Sequence, residues 1–524
     1  MTNQTILSID QGTTSSRAFL LDSNLNVKGV GQNEFRQHYP KPGWVEHDAE
    51  EIWESTLKAI RDALASTGTR FGSRKRSELC SREGVAPMAL PLEGATRAPI
   101  IDPKQIAAIG ITNQRETTIL WDRKTGKAIA NAIVWQDRRT TERCQELKQK
   151  NEEMVRNKTG LVLDPYFSGT KIEWLLENIP GAKAKAEKGE LCFGTVDCFL
   201  LWRLTCGKVH ATDATNASRT LLMNLKTLEW DEELLDLFHI PKSILPRIVP
   251  CAEKQGVTKG VQGLPDGIPI AGMAGDQQAA LVGQACFEVG EAKCTYGTGS
   301  FILMNIGKEP KPSKHGLITT LAYQRGNEVA YAYEGSAFIA GAAVQWLRDG
   351  LKIIKHSSEV EALAASVPDS HGVIFVPAFV GLGAPYWRAD ARGAMTGITR
   401  GATSAHIARA TLEGIAFCQY DILEAMTHDV GKPLASLKVD GGAASNNLLM
   451  QFQSDILQVS ISRPLIIETT ALGAAFLAGL GVGIWKDWNE IRKSWKEEKH
   501  FTPKMSKEEV KNRIKNWHSA IDKL

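Results

Sequence analysis

The stretch Ile6-Leu7-Ser8-Ile9, Asp10-Gln11-Gly12-Thr13-Thr14-Ser15-Ser16, Arg17-Ala18-Phe19-Leu20-Leu21 decides the fold. Two short apolar runs flank a polar turn rich in Gly, Thr and Ser, the pattern of a β-hairpin. It is not a P-loop, which needs a glycine-rich loop opening a helix and carrying Gly-Lys-Ser/Thr. The pattern returns far downstream as Ala292-Lys293-Cys294-Thr295-Tyr296, Gly297-Thr298-Gly299-Ser300, Phe301-Ile302-Leu303-Met304. One hairpin opening each half predicts a duplicated architecture, two facing halves with a cleft between them.

Around the hairpins, helical patterns such as 49–65 alternate with strand-like runs at 106–112, 118–121 and 268–271. That alternation predicts α/β layers. Leu437-Lys438-Val439-Asp440 runs into Gly441-Gly442 and a helical stretch over 445–457. A strand, a tight glycine turn and a helix N-terminus form a place where a ligand can approach backbone closely. Residues 72–99 carry Gly, Ser, Arg, Lys and Pro without a sustained period, which predicts a long surface loop.

A chain of 524 residues exceeds one ordinary core, in keeping with two large domains. A net charge of +3 is far from the balance of a nucleic-acid binder. Nine cysteines form no Cys-x-x-Cys pair and no Cys/His cluster at metal-ligand spacing, so a reducing compartment without structural zinc is expected. Met1-Thr2-Asn3-Gln4-Thr5 lacks the basic flank and apolar stretch of a signal peptide. The longest apolar run, 471–485, is short of the ~20 residues of a membrane span and reads as a buried helix. The expected location is cytoplasmic, without membrane insertion.

Three segments could carry chemistry. The turn from Gly12 to Ser16 offers backbone N–H groups, hydroxyls and a flanking Arg17 to a triphosphate, and Asp10 at the strand end could hold magnesium through water. Taken alone the turn reads as an ordinary polar hairpin. Arg115 and Glu116, adjacent at the end of an apolar run, could set a donor fork and a carboxylate on one small polyol. A salt-bridged turn is the competing reading. In Gly275-Asp276-Gln277-Gln278, Asp276 could be a helix cap or the carboxylate that a kinase places beside an attacking hydroxyl, with Gln277 adding an amide.

In order, these segments resemble the carbohydrate kinase family, and its bacterial-type glycerol kinases most closely. The resemblance rests on Asp10 through Arg17, Pro40-Lys41-Pro42-Gly43-Trp44-Val45-Glu46-His47-Asp48, Asn113-Gln114-Arg115-Glu116-Thr117, Asp164-Pro165-Tyr166-Phe167-Ser168, Thr215-Asn216-Ala217-Ser218-Arg219, Gly275 through Gln278, Tyr296-Gly297-Thr298-Gly299, Val439-Asp440-Gly441-Gly442 and Thr470-Ala471-Leu472-Gly473-Ala474-Ala475. It covers nearly the whole chain. It implies an actin-like ATPase fold, two RNase H-like domains with ATP and Mg²⁺ in the cleft, and phosphorylation of glycerol to sn-glycerol 3-phosphate. The expected domains are 1–283, with the acceptor site, the first phosphate turn and a surface insertion at 70–99, and 284–524, with the second phosphate turn and the adenosine site.

By the same resemblance, Thr13, Thr14, Ser15 and Arg17 serve the phosphates from the first domain. Thr298, Gly341, Gln345, Gly442 and Asn446 serve the nucleotide from the second. Arg115, Glu116, Tyr166, Asp276 and Gln277 hold the hydroxyls of glycerol, and Trp135 and Phe301 line its carbon edge. Asp10 faces magnesium and Asp276 is the general base. The implied partners are glycerol, ATP and further copies of the chain in a dimer or tetramer, with no nucleic acid.

The chain departs from the family in three places. The 72–99 stretch is longer than usual. Bacterial members carry a Gly-Gly-Lys-Gly-Gly-Thr-Arg loop for fructose 1,6-bisphosphate, where this chain has Lys259-Gly260-Val261-Gln262-Gly263-Leu264-Pro265-Asp266-Gly267, with Gly267 at the arginine position. Phe417-Cys418-Gln419-Tyr420-Asp421 differs from the family's usual Gln-Thr-Arg at its centre. Three alternatives stand beside the resemblance: a related kinase for another polyol or a pentulose, an actin- or chaperone-like switch that hydrolyses ATP slowly, and an inactive kinase serving as a scaffold, against which no expected catalytic position is substituted.

Overall fold

The structure is a computed structural model that describes residues 4–66, 101–388 and 390–524. The expected surface loop at 72–99 lies outside the described residues. Among the described residues the chain builds two large mixed sheets, besides five two-stranded pairings. The first contains β1 (Thr5–Gln11), β2 (Ser15–Asp22), β3 (Val27–Glu34), β4 (Ile106–Asn113), β5 (Gly256–Val257) and β6 (Pro269–Gly275), in the order β5-β6-β4-β1-β2-β3. The second contains β7 (Glu291–Tyr296), β8 (Ser300–Gly307), β9 (Ile318–Arg325), β10 (Glu328–Ala337), β11 (Ser436–Asp440), β12 (Ile461–Pro464) and β13 (Glu497–Phe501), in the order β9-β10-β8-β7-β11-β12-β13.

The two sheets repeat one topology. In the first, β1 pairs antiparallel with β2 and parallel with β4, β2 pairs antiparallel with β3, and β4 pairs parallel with β6. In the second, β7 stands to β8, β10, β11 and β12 as β1 stands to β2, β3, β4 and β6. The duplication expected from two short hairpins thus extends to five strands on each side. Both hairpins close on a backbone bond, Gly12 N–H to Ser15 O at 2.9 Å and Gly297 N–H to Gly299 O at 2.8 Å.

Helices cover these sheets where the apolar spacing requires it. Helix α1 (Ala49–Ala65) is capped by Asp48 and buries Ile52, Trp53, Ala59, Ile60 and Ala63 on β2 and β3. Helix α2 (Asp276–Gly283) follows β6, α3 (Gly341–Asp349) follows β10, and α4 (Ser404–Val430) is the longest helix of the second half. Helix α5 (Asn447–Leu457) is capped by Asn446, whose side chain accepts from the Leu449 N–H. The turn 442–445 ahead of it is 3₁₀, so the α-helix begins two residues after the predicted start.

Helix α6 (Thr469–Gly481) is the buried helix read from the apolar run. It comes late in the chain yet packs with Ile6, Ala108 and Ala274 of the first sheet and with Ala279 of α2, and the Ser8 hydroxyl donates to the Ala471 carbonyl at 2.7 Å. A Cβ at Gly473 would stand 1.8 Å from the Ala279 carbonyl oxygen. The absent side chain therefore lets α6 lie directly on α2. The departure at 417–421 lies on α4. There Asp421 accepts from Trp517 Nε1 at 2.7 Å, His518 Nε2 at 2.9 Å and the Tyr386 hydroxyl at 3.0 Å, which anchors the helix Lys507–Ile521. No helix among the described residues is long and apolar enough to cross a membrane.

Candidate active site

The candidate site is assembled from strand ends. β4 stops at Asn113, whose side-chain amide exchanges two 3.0 Å bonds with that of Asn216. That exchange fixes the segment carrying Arg219 beside the turn Gln114-Arg115-Glu116. Glu116 takes the left-handed conformation, φ +60°, an uncommon state for a non-glycine residue that turns the chain sharply after Arg115.

Arg115 and Glu116 enter a buried ionic network. Glu334, on β10 of the second sheet, accepts from Arg115 Nη1 at 2.5 Å and Nη2 at 3.0 Å, a two-point fork. The same carboxylate accepts from Arg219 Nη2 at 3.0 Å, and Arg219 Nε donates to Glu116 Oε1 at 2.6 Å. All four side chains are at most 3% exposed. Burial pushes the Glu334 carboxyl up, but the Arg115 and Arg219 guanidiniums outweigh it and hold it at about 2. For Glu116, burial wins over the pull of Arg219 and Arg115, and its carboxyl is raised. Tyr166 closes the group, its hydroxyl 3.5 Å from Arg115 Nη2 and its ring edge-on to Trp135 at 5.6 Å.

Asp276 opens α2 at the mouth of this network. Its side chain is 32% exposed, and Arg115 Nε lies 3.1 Å from its Oδ1. The Gln277 backbone N–H donates to the same oxygen at 2.7 Å. The Gln277 side-chain oxygen accepts from Lys293 Nζ of β7. Asp10, at the end of β1, is pushed up to about 6 by burial, with Arg17 opposing and the carboxylates of Asp276 and Glu468 reinforcing the shift. A carboxyl that is reluctant to ionise among other carboxylates suits a cation, which would remove the repulsion.

The two turns present different groups. Thr14, Gly297 and Thr298 are exposed, whereas Ser15 is buried in β2 and its hydroxyl accepts from Gln32 Nε2 at 3.1 Å. Trp135 Nε1 donates to Thr13 Oγ1 at 3.0 Å, which ties the expected carbon-edge wall to the first turn. The Gly341 N–H donates to Gly297 O at 2.9 Å, so α3, with Gln345, starts on the second turn. Gly441, φ +84°, turns the chain after β11, and a Cβ there would lie 2.5 Å from the Tyr296 carbonyl oxygen. Gly442 has open space beside it, and Asn446 follows as the cap of α5.

The structure therefore gathers Arg115, Glu116, Tyr166, Asp276 and Gln277 in one group, with Phe301 reaching Lys293 through its carbonyl at 3.5 Å. It also changes how Arg115 is used: both terminal nitrogens go to Glu334, and Nη1 also meets Gln278 Oε1 at 3.2 Å. Sequence reasoning did not single out Glu334 or Lys293, and gave Arg219 no role. A signal was present in Glu328–Ala337, where Glu334 ends the apolar run Val-Ala-Tyr-Ala-Tyr yet still lies within the strand.

The model of the FGGY family of carbohydrate kinases, N-terminal domain, matches residues 5–75 and 91–283. That of the C-terminal domain matches residues 292–482. A glycerol kinase of Deinococcus radiodurans is 55% identical, with 99% of this chain and 97% of that protein covered. One of Myxococcus xanthus is 54% identical, with 99% of each covered. Among solved structures, Plasmodium falciparum glycerol kinase with ADP superposes with a TM-score of 0.88 at 40% identity, covering 99% of this chain and 98% of that one. A Lactobacillus acidophilus gluconate kinase shares the fold with a TM-score of 0.83 at 24% identity, covering 99% and 97%. The five duplicated strands of each sheet fall, to within one residue, in the halves matched by the two domain models, and the chain belongs to the FGGY family of carbohydrate kinases.

Proposed function

We propose that the protein transfers the γ-phosphoryl group of ATP to a terminal hydroxyl of glycerol, giving sn-glycerol 3-phosphate and ADP. The observation that carries the reading is the pairing of Asp276, partly exposed and held at Oδ1 by Arg115, with a buried set of polar groups beside it. The high identity to glycerol kinases along the whole chain supports the same acceptor. A three-carbon polyol has little apolar area, so its affinity must come from hydrogen bonds in a desolvated pocket. Arg115, Tyr166, Glu116 and Gln277 supply those bonds, and Trp135 and Phe301 border the carbon edge.

In this account both structural bonds of Asp276 fall on Oδ1. Oδ2 is left to orient the attacking hydroxyl and receive its proton. Phosphoryl transfer is mostly positioning and charge stabilisation. Thr13, Thr14 and Arg17 would hold the phosphates from one side and Thr298 from the other. Gly341, Gln345, Gly442 and Asn446 would border the adenosine. Asp10 would hold a magnesium ion through water, as its raised carboxyl allows. When bound, the ion offsets phosphate charge.

The direct test is product identification after incubation with Mg·ATP and glycerol, by phosphorus NMR together with oxidation by a dehydrogenase specific for sn-glycerol 3-phosphate. The expected product is sn-glycerol 3-phosphate in equimolar yield with ADP. Free phosphate alone would overturn the proposal in favour of an ATPase, and rapid phosphorylation of a pentulose with glycerol left untouched would replace the acceptor.

A further inference from the structure

Lys293 is fully buried on β7, where a cation needs compensation. Its three N–H groups have three acceptors: Gln277 Oε1, Thr295 Oγ1 at 3.0 Å and Phe301 O at 3.5 Å. Two of these belong to residues assigned above to the acceptor pocket. Gln277 sits on α2, which follows the first sheet, and Lys293 belongs to the second, so the contact spans the two halves. Burial pulls the Lys293 ammonium down, against the nearby Asp440 carboxylate. Asp440 is itself fixed by Gln284 Nε2 at 2.7 Å and the Thr469 hydroxyl at 2.8 Å, at the turn that continues to Gly442.

From this geometry we infer that Lys293 is a positioning residue that sets the orientation of the Gln277 amide, so that Gln277 meets the acceptor substrate as a donor. An ammonium has donors and no acceptor. Only the amide oxygen of Gln277 can face it, which turns Nε2 away from Lys293. The polyol atom opposite Gln277 is then one that accepts a hydrogen bond, a hydroxyl oxygen. The inference rests on the proposed acceptor site.

The test is a double-substitution cycle on the full chain, with KM for glycerol and kcat read separately. Lys293→Met is expected to raise KM for glycerol about tenfold, the worth of one hydrogen bond, while kcat changes by less than about threefold. In a Gln277→Leu background, Lys293→Met is expected to add less than about twofold to KM. Independent, additive effects would overturn the inference, as would an unchanged KM in Lys293→Met. Gln277→Glu serves should Lys293→Met fail to fold. Its carboxylate still pairs with Lys293 but presents no donor, so KM is expected to rise about tenfold with the melting temperature not lowered. An unchanged KM there sinks the inference. If the unsubstituted protein does not phosphorylate glycerol, the acceptor reading fails first, and the same cycle is run on whichever polyol the protein accepts.

Discussion

Replacing Glu334 by Gln tests the buried network that joins the two halves. Glu334 accepts three bonds from two guanidiniums, at 2.5, 3.0 and 3.0 Å. An amide keeps the shape, loses the charge, and turns a donor toward a donor. Held at about 2 rather than the ordinary 4.5, the carboxyl contributes about 3 kcal/mol at neutral pH, at about 1.4 kcal/mol per tenfold change in proton affinity. Mutational experience with broken buried pairs gives a similar ~3–5 kcal/mol. Because the folded-state value is depressed, the contribution is fully present above about pH 4.5 and is lost as pH falls through about 2. Urea unfolding followed by tryptophan fluorescence should therefore place Glu334→Gln about 3 kcal/mol below the parent at pH 7, with the gap narrowing below pH 4.5. A loss under about 1 kcal/mol at pH 7, or a gap that widens in acid, would refute the assignment of Glu334 as the ionised anchor of Arg115 and Arg219.

Asp276→Asn keeps an oxygen for the Gln277 N–H but cannot take a proton. Steady-state kinetics should show kcat down by ~10²–10⁴ with KM for ATP little changed, whereas near-normal kcat would make Asp276 a structural residue only. Gly473→Ala drives a Cβ to 1.8 Å from the Ala279 carbonyl oxygen, so α6 must lift from the helix that begins at Asp276. Thermal melting should register a loss of ~1–3 kcal/mol, the usual range for overpacking, and kcat should fall with it. Fructose 1,6-bisphosphate should leave the rate unchanged at physiological salt. Lys259 is already paired with Asp266 at 2.5 Å, and Gly267 brings no cation; strong inhibition in a titration would show another site.

Local signals made most of the fold legible. The hairpin at Gly12–Thr14 follows from apolar runs on either side of small polar residues, α1 from its period, and α6 from an apolar run too short to span a bilayer. The sequence starts the helix at Ser445, whereas residues 442–445 form a 3₁₀ turn and the bond from the Leu449 N–H to Asn446 caps α5 behind it. The site was legible where one motif carries adjacent groups, as in Asp276-Gln277. It was not legible where charges meet across the fold. Arg115 finds Glu334 219 residues away, and Arg219 finds Glu116 103 residues away. No periodicity encodes such a pairing, and the adjacency of Arg115 and Glu116 gave no sign of either distant partner. The cross-sheet contact from Lys293 to Gln277 was hidden for the same reason.

The central claim is that glycerol is the acceptor for ATP. The measurement that tests it most directly is kcat/KM for ADP release with glycerol, set beside D-xylulose and a control without acceptor. Turnover is expected to depend on glycerol, with the pentulose at least ~10²-fold poorer, because a pocket built on fixed hydrogen bonds discriminates strongly against a mismatched pattern of hydroxyls. ADP release at the same rate without glycerol, or a kcat/KM for D-xylulose above that for glycerol, would contradict it.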